Sequence, residues 1–125
     1  MELRRSRVLE KLRGGDVVSC TKLNLSDPRA AEIAALCGFD CVWPDTEHVP
    51  SEWHTLENQI RAAKMYDVDT MVRVSRGSYS NYVVPLVMDA SCIMVPHVMS
   101  AADAKDVVWK TCFHLVGRRP LDGVH

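Results

Sequence analysis

The sequence predicts an α/β fold organised on a parallel sheet. Short apolar runs alternate with amphipathic helical patterns four times in succession, the order that right-handed βαβ crossovers need. The runs are nearly continuous in apolar residues, as strands covered on both faces are. Each run also gives way to a polar, charged or proline-bearing step, at Lys22, Asp45, Arg73 and Pro96. A doubly wound open sheet and part of a (β/α)8 barrel both satisfy these observations. No Gly-x-Gly-x-x-Gly follows the first strand to favour dinucleotide binding.

The elements follow in order. Residues 2–14 are rich in Arg, Lys, Glu and Leu and stop at Gly14-Gly15, which predicts a short amphipathic helix with a basic, solvated face. Four βα units are then expected at about 16–38, 39–67, 69–89 and 91–113, with a polar tail over 114–125. The strands are placed at 17–22, 39–43, 70–74 and 92–95. Asp27 is the expected N-cap of the first crossover helix, with Pro28 at its first position and Ala30, Ile33, Ala34 and Cys37 as its buried stripe. Ser51 is expected to cap the next helix, which buries Trp53, Leu56, Ile60 and Ala63. The third helix, 79–88, carries Pro85, which removes an interior hydrogen bond and predicts a kink or a late start. Ser100 with Asp103 resembles a capping box, ahead of a helix burying Ala104, Val107, Val108 and Cys112.

The 125 residues suffice for one domain with a real core. With 15 Lys+Arg against 16 Asp+Glu the net charge is -1, which argues against nucleic acid or an anionic membrane as the main partner and leaves a small polar or anionic substrate open. No apolar stretch approaches a membrane span and no apolar segment follows Arg4-Arg5 as in a secretory signal, so a cytoplasmic protein is expected. Cys20, Cys37, Cys41, Cys92 and Cys112 form an odd set without a Cys-x-x-Cys pair, and read as reduced thiols acting as small core residues.

All strand ends of a parallel sheet point to one side, so Lys22, Asp45, Glu47, His48, Arg73 and His97 should converge there. A guanidinium at such an edge can hold a carboxylate through two parallel hydrogen bonds, as a small 2-oxo acid requires. His48 beside two carboxylates suits a general base, against the alternative of a loop histidine bonded to backbone. Asp45 and Glu47 could orient it or touch a metal, although two carboxylates from one loop rarely complete an oxygen-ligand site. Lys22 fits a structural or substrate-contact role better than Schiff-base chemistry, since nothing desolvates it. His97, after Pro96, reads as packing or loop shaping, and His54 as surface.

The sequence resembles the HpcH/HpaI aldolase/citrate lyase family of metal-dependent pyruvate aldolases, of the 4-hydroxy-2-oxo-heptanedioate aldolase kind. The resemblance lies in Asp27-Pro28 with Ala31-Glu32-Ile33, in Gly38-Phe39-Asp40 leading to Asp45-Thr46-Glu47-His48, in Val72-Arg73-Val74, in Ile93-Met94-Val95-Pro96-His97-Val98, and in Gly117-x-Arg119. It implies a (β/α)8 TIM barrel of the phosphoenolpyruvate/pyruvate-binding type, usually oligomeric, with only the first four or so βα units in this chain. The implied reaction is reversible cleavage of a 4-hydroxy-2-oxo acid to pyruvate and an aldehyde, assisted by Mg2+ or Mn2+. His48 would be the general acid/base, Asp45 its orienting partner and Arg73 the clamp on substrate oxygens. Glu47 and Lys22 would contact substrate. The metal's Glu and Asp are expected beyond His125. Val87, Asp89, Cys92 and the Phe113-His114-Leu115 step depart from the family's usual residues, which bears on aldehyde specificity. Two further readings stay open: a lyase of the same superfamily acting on a coenzyme A thioester, and a catalytically silent half-barrel that serves association.

Overall fold

A computed structural model describes residues 4–120. They form α1 (Arg7–Gly14), β1 (Cys20–Leu23), α2 (Pro28–Leu36), β2 (Cys41–Pro44), α3 (Trp53–Lys64), β3 (Asp69–Arg73), α4 (Tyr79–Val87), β4 (Cys92–Met94) and α5 (Ala101–Thr111). The strands make one parallel sheet in the order β1-β2-β3-β4. No helix among the described residues is long and apolar enough to cross a membrane.

Period-two alternation divides the sheet into two faces. Leu23 and Val42 turn toward the helices, in a core with Ala31, Ala34, Ala62, Ala63 and Val68. Val72 and Val74 join Leu56, Ile60, Tyr82 and Ala90 in a second core. Leu56 and Ile60 are fully buried, and burial of each contributes about 1.5–3 kcal/mol. The opposite face therefore carries Cys20, Lys22, Cys41, Trp43, Met71 and Arg73.

Several expectations need correction. β1 starts at Cys20, not Val17: pairing begins where Asp40 and Cys41 donate their backbone N–H groups to the Ser19 carbonyl, and Val17 lies exposed ahead of it. β2, β3 and β4 end at Pro44, Arg73 and Met94, each within a residue of the predicted limit. The capping of α2 is as expected, with Asp27 accepting from the Arg29 amide and Pro28 at the first position. Its buried face is rotated, however: Ala31 and Ala34 are buried, while Ile33 and Cys37 are exposed. α2 packs closely on α3, and alanines permit that approach where isoleucine would hold the helices apart.

Ser51 does not cap α3. Glu52 occupies the N-cap position without a side-chain bond, and Ser51 Oγ is buried without a partner among the described residues. Trp53, at the first turn, is half-exposed, and Gln59 and Ala62 join the buried face in its place. Pro85 lies inside α4, which begins at Tyr79, so the late start that the proline suggested does not occur. In α5 the Ser100–Asp103 cap forms, with the Asp103 amide donating to Ser100 Oγ at 3.1 Å. Yet α5 buries none of its residues: Val107 packs on the second core, while Ala104 and Val108 stay exposed. The helix predicted over 2–14 starts at Arg7, with Ser6 as its cap, and residues 1–3 lie outside the description. The segment after α5, expected to be loop-like, folds back, with Arg118 donating to the Trp109 carbonyl at 2.7 Å. Gly117 is required there, because a Cβ would lie 2.3 Å from the Cys112 carbonyl oxygen. Residues 121–125 of the predicted tail fall outside the described chain.

Candidate active site

The C-terminal edge of the sheet is built around Asp45, the residue directly after β2. Its side chain shares the sheet face of Trp43, and its backbone bridges to that of Arg73, the last residue of β3. Burial alone would raise the Asp45 carboxyl. Hydrogen bonds from Arg73 and Lys22, and from the Glu47 and His48 amides, outweigh that and hold it well below the usual carboxylate range. Arg73 grips it with two parallel donors, Nε to Oδ1 at 2.9 Å and Nη2 to Oδ2. Lys22 Nζ reaches Oδ2 from β1 at 3.0 Å.

Asp45 also shapes the loop that follows. Its Oδ1 accepts from the Glu47 amide at 2.9 Å and the His48 amide at 3.3 Å, the turn an aspartate makes with residues just beyond it. Thr46 ties the loop to β3, donating its N–H and Oγ1–H to the Arg73 carbonyl at 2.9 and 2.8 Å. Two neighbouring strand ends are thereby locked together by main-chain and side-chain bonds.

The structure brings all six predicted residues to this edge and rearranges their pairing. Asp45 reaches His48 through the backbone amide, whereas the imidazole lies beside Glu47, with Nε2 at 3.5 Å from Oε2. Glu47 is mostly buried and also receives Arg73 Nε at 3.3 Å. Its other oxygen faces His97 Nε2 at 3.7 Å. His97 is therefore neither packed nor remote: it is exposed, takes a left-handed backbone with φ 54°, and is held by Arg76, whose Nη1 donates to its carbonyl at 2.6 Å. His54 is exposed on α3, away from this cluster, as the sequence predicts.

Two features were not predicted. Trp43 forms the floor beneath the cations, with Arg73 Cζ 5.2 Å and Lys22 Nζ 5.8 Å from its ring centroid. The available signal was alternation, since Trp43 stands two residues before Asp45 and so shares its face. Arg76 was the second, and its link to Asp103, in the cap of α5, is visible only in three dimensions.

The residues present do not fit a divalent cation on their own. Among the described residues no three His, Cys, Asp or Glu side chains converge as a ligand set, and both Asp45 oxygens are occupied by cationic partners. Arg73 spends Nε and Nη2 on Asp45 and Glu47, which leaves Nη1 without an acceptor among the described residues.

Parallel βα units with an acid–guanidinium–imidazole cluster at the strand C-termini are the arrangement on which (β/α)-barrel proteins build their sites. A model of the HpcH/HpaI aldolase/citrate lyase family matches residues 22–120, and the chain belongs to that family. It is 34% identical over 108 residues to a hydroxypyruvate/pyruvate aldolase of Pseudomonas aeruginosa, covering 86% of this chain and 40% of that protein. A 2-keto-3-deoxy-L-rhamnonate aldolase of Escherichia coli is 33% identical over 110 residues, covering 88% and 41%. Among solved structures, an HpcH/HpaI aldolase from Desulfitobacterium hafniense superposes with TM-score 0.87 at 27% identity over 93% of this chain and 45% of that one. The citrate synthase SbnG gives 0.86 at 33% identity over 90% and 46%. The chain thus spans about two-fifths of the curated relatives and matches about half of each barrel structure.

Proposed function

We propose that this chain carries the proton-transfer and anion-binding half of a class II aldolase, which cleaves a 4-hydroxy-2-oxo acid reversibly to pyruvate and an aldehyde. The observation that carries the reading is the doubly bonded Asp45–Arg73 pair with Lys22 on its other side. It holds two cations rigidly at the strand ends while leaving Arg73 Nη1 to face a ligand. The 2-oxo acid's carboxylate and keto oxygen are the groups that such a pair of cations recognises.

In this proposal His48 takes a proton from the pyruvate methyl group, and the resulting enolate oxygen is stabilised by Arg73 and Lys22. The exposed imidazole has room to meet a substrate, and Glu47 at 3.5 Å stabilises the imidazolium that forms. Asp45 is a positioning residue: it fixes Arg73 and the loop that presents His48. Lys22 acts as a charge and not as an imine, because its amine is paired with a fully buried carboxylate, the reverse of the apolar setting imine chemistry uses. The Mg2+ or Mn2+ that the family resemblance implies would supply Lewis-acid polarisation of the keto oxygen, and its ligands would come from outside the described residues. An oligomeric assembly belongs to the same proposal.

The test is exchange of the pyruvate methyl protons in D2O, followed by NMR. With the residues that supply the metal ligands present, exchange is expected, and His48→Ala should abolish it without loss of far-UV dichroism. Unchanged exchange in that variant would refute the general-base role. Exchange that survives EDTA, together with a borohydride-trapped pyruvyl adduct on Lys22, would replace the proposal with imine chemistry.

A further inference from the structure

Two imidazoles address one carboxylate at the strand ends. Glu47 is mostly buried; its Oε2 lies 3.5 Å from His48 Nε2 and 3.3 Å from Arg73 Nε, and its Oε1 lies 3.7 Å from His97 Nε2. The rings arrive from different elements, His48 from the loop after β2 and His97 from the segment after β4. Bonds within the chain prepare the approach of His97. Its φ of 54° lies in the left-handed region, which residues other than glycine seldom enter. Arg76 Nη1 donates to its carbonyl at 2.6 Å, and Nη2 pairs with Asp103, whose Oδ2 accepts from the Met99 amide at 3.0 Å. Asp103 also belongs to the cap of α5, so the turn that carries the ring is tied to the loop after β3 and to the helix that follows it.

Cleavage of a 4-hydroxy-2-oxo acid moves two protons at neighbouring positions. The C4 hydroxyl loses one as the C3–C4 bond breaks, and C3 gains one to become the pyruvate methyl group. His48 performs the second transfer in the proposed reaction, and the first still lacks a residue. Resting on that aldolase reading, we infer that His97 is the catalytic base for the C4 hydroxyl, on the aldehyde half of the substrate. In the tautomer that directs Nε2–H toward Glu47, Nδ1 takes the hydroxyl proton. The O–H electron pair then becomes the second C–O bond of the aldehyde, and the C3–C4 pair stays with the pyruvate enolate. The His48 imidazolium gives its proton to C3, so one ring gains the proton that the other loses. Glu47 stabilises the imidazolium on whichever ring carries it, because one of its oxygens faces each. Addition of pyruvate to an aldehyde runs through the same steps in reverse.

The test compares two reactions of one protein, with the residues that supply the metal ligands present. Exchange of the pyruvate methyl protons in D2O involves no aldehyde, whereas carbon–carbon bond formation needs one. Glycolaldehyde, glyoxylate and acetaldehyde are the probes, and the fastest is carried forward. His97→Asn removes the imidazole and installs a residue that tolerates the left-handed backbone. It is expected to slow bond formation on the order of a hundredfold relative to exchange, the contribution of a positioned general base. Imidazole added to the buffer should restore part of that loss in His97→Asn and leave the wild type unaffected. His48→Ala should stop both reactions, since without the enolate nothing adds to the aldehyde. A His97→Asn protein in which both reactions fall together, or in which neither changes, would overturn the inference while the aldolase reading stands. Wild-type protein that exchanges no methyl protons, or that exchanges them and adds pyruvate to none of these aldehydes, would overturn that reading and the inference with it.

Discussion

The two ends of the sheet are both organised by buried aspartates, and those aspartates are used in opposite ways. At the N-terminal end Asp40 and Asp69 stand at or just before the first residues of β2 and β3. Asp69 accepts from Arg4 and Ser6 Oγ at 2.6 Å each, from the Val8 amide at 2.9 Å and from Ser91 Oγ at 3.1 Å. Asp40 accepts from Lys11 Nζ and from Ser19. Four of these donors, Arg4, Ser6, Val8 and Lys11, lie in α1 or just before it, so this end fastens α1 under the sheet. At the C-terminal end Asp45 holds Arg73 and Lys22, whose remaining donors stay available, and a loop that ends in an exposed imidazole. Similar burial thus produces a clasp at one end and a positioned reactive surface at the other.

The largest effect expected from breaking this contrast is at the clasp. Asp69→Ala strips the partner from Arg4 and leaves Ser6, Ser91 and the Val8 amide unsatisfied in a partly buried setting. The expected cost is about 3 kcal/mol, since more than one partly buried donor loses its acceptor at about 1–3 kcal/mol each. Urea denaturation followed by circular dichroism measures it, and a loss below about 1 kcal/mol would show that α1 is not fastened by this residue. Asp45→Asn should behave in the reverse sense. It should cost only about 1–2 kcal/mol in stability, since Lys22 can rehydrate, yet slow pyruvate proton exchange by roughly a hundredfold through misplacement of Arg73. Equal losses of stability and exchange in both variants would erase the distinction between the two ends.

Acid sharpens the comparison next. Bonds from Lys11 and Ser19 lower the Asp40 carboxyl to about 2 in the folded chain. A depressed carboxylate contributes stability that is fully present above its unfolded value and lost as pH falls through its folded one. Stability should therefore hold steady on this account above about pH 5 and fall between about pH 4 and pH 2. Lys11→Met should lower stability at neutral pH and make little difference near pH 2, so that the two titration curves converge. Parallel curves across the whole range would show that the ion pair is not what depresses Asp40.

The site was more legible in the sequence than the clasp, and the reason is physical. Lys22, Asp45, Glu47, His48 and Arg73 interrupt or follow apolar runs, and a parallel sheet sends every such position to one edge, so their convergence follows from topology. Their pairing does not. Whether His48 bonds Asp45 through its ring or its amide depends on a turn of three residues, which alternation does not specify. His97 drew a packing or loop-shaping role after Pro96; its ring is not packed but faces Glu47, while Arg76 bonds the carbonyl of its left-handed backbone. Asp69 escaped notice because a carboxylate opening a strand looks like loop, and three of the four donors that justify its burial lie more than 60 residues earlier. The misassigned faces of α2 and α5 share one cause. Both helices carry apolar residues on two sides, and periodicity does not say which side meets the core and which stays exposed.

The smallest effect expected is on a charged pair that serves neither end. Arg61 and Glu57 lie one turn apart on α3 with Nη2 and Oε1 at 2.7 Å, and the Arg61 side chain is 67% exposed. Solvent screens such a pair, and ordering two long side chains offsets most of its Coulomb attraction, so Arg61→Ala should cost less than about 0.5 kcal/mol. The small loss should shrink further in 1 M salt, where the screening length is about 3 Å. The same urea titration used for Asp69→Ala provides the measurement. A cost near that of the buried aspartate would mean that charge pairing as such, and not burial with several converging donors, separates the structural residues of this sheet from the rest of its surface.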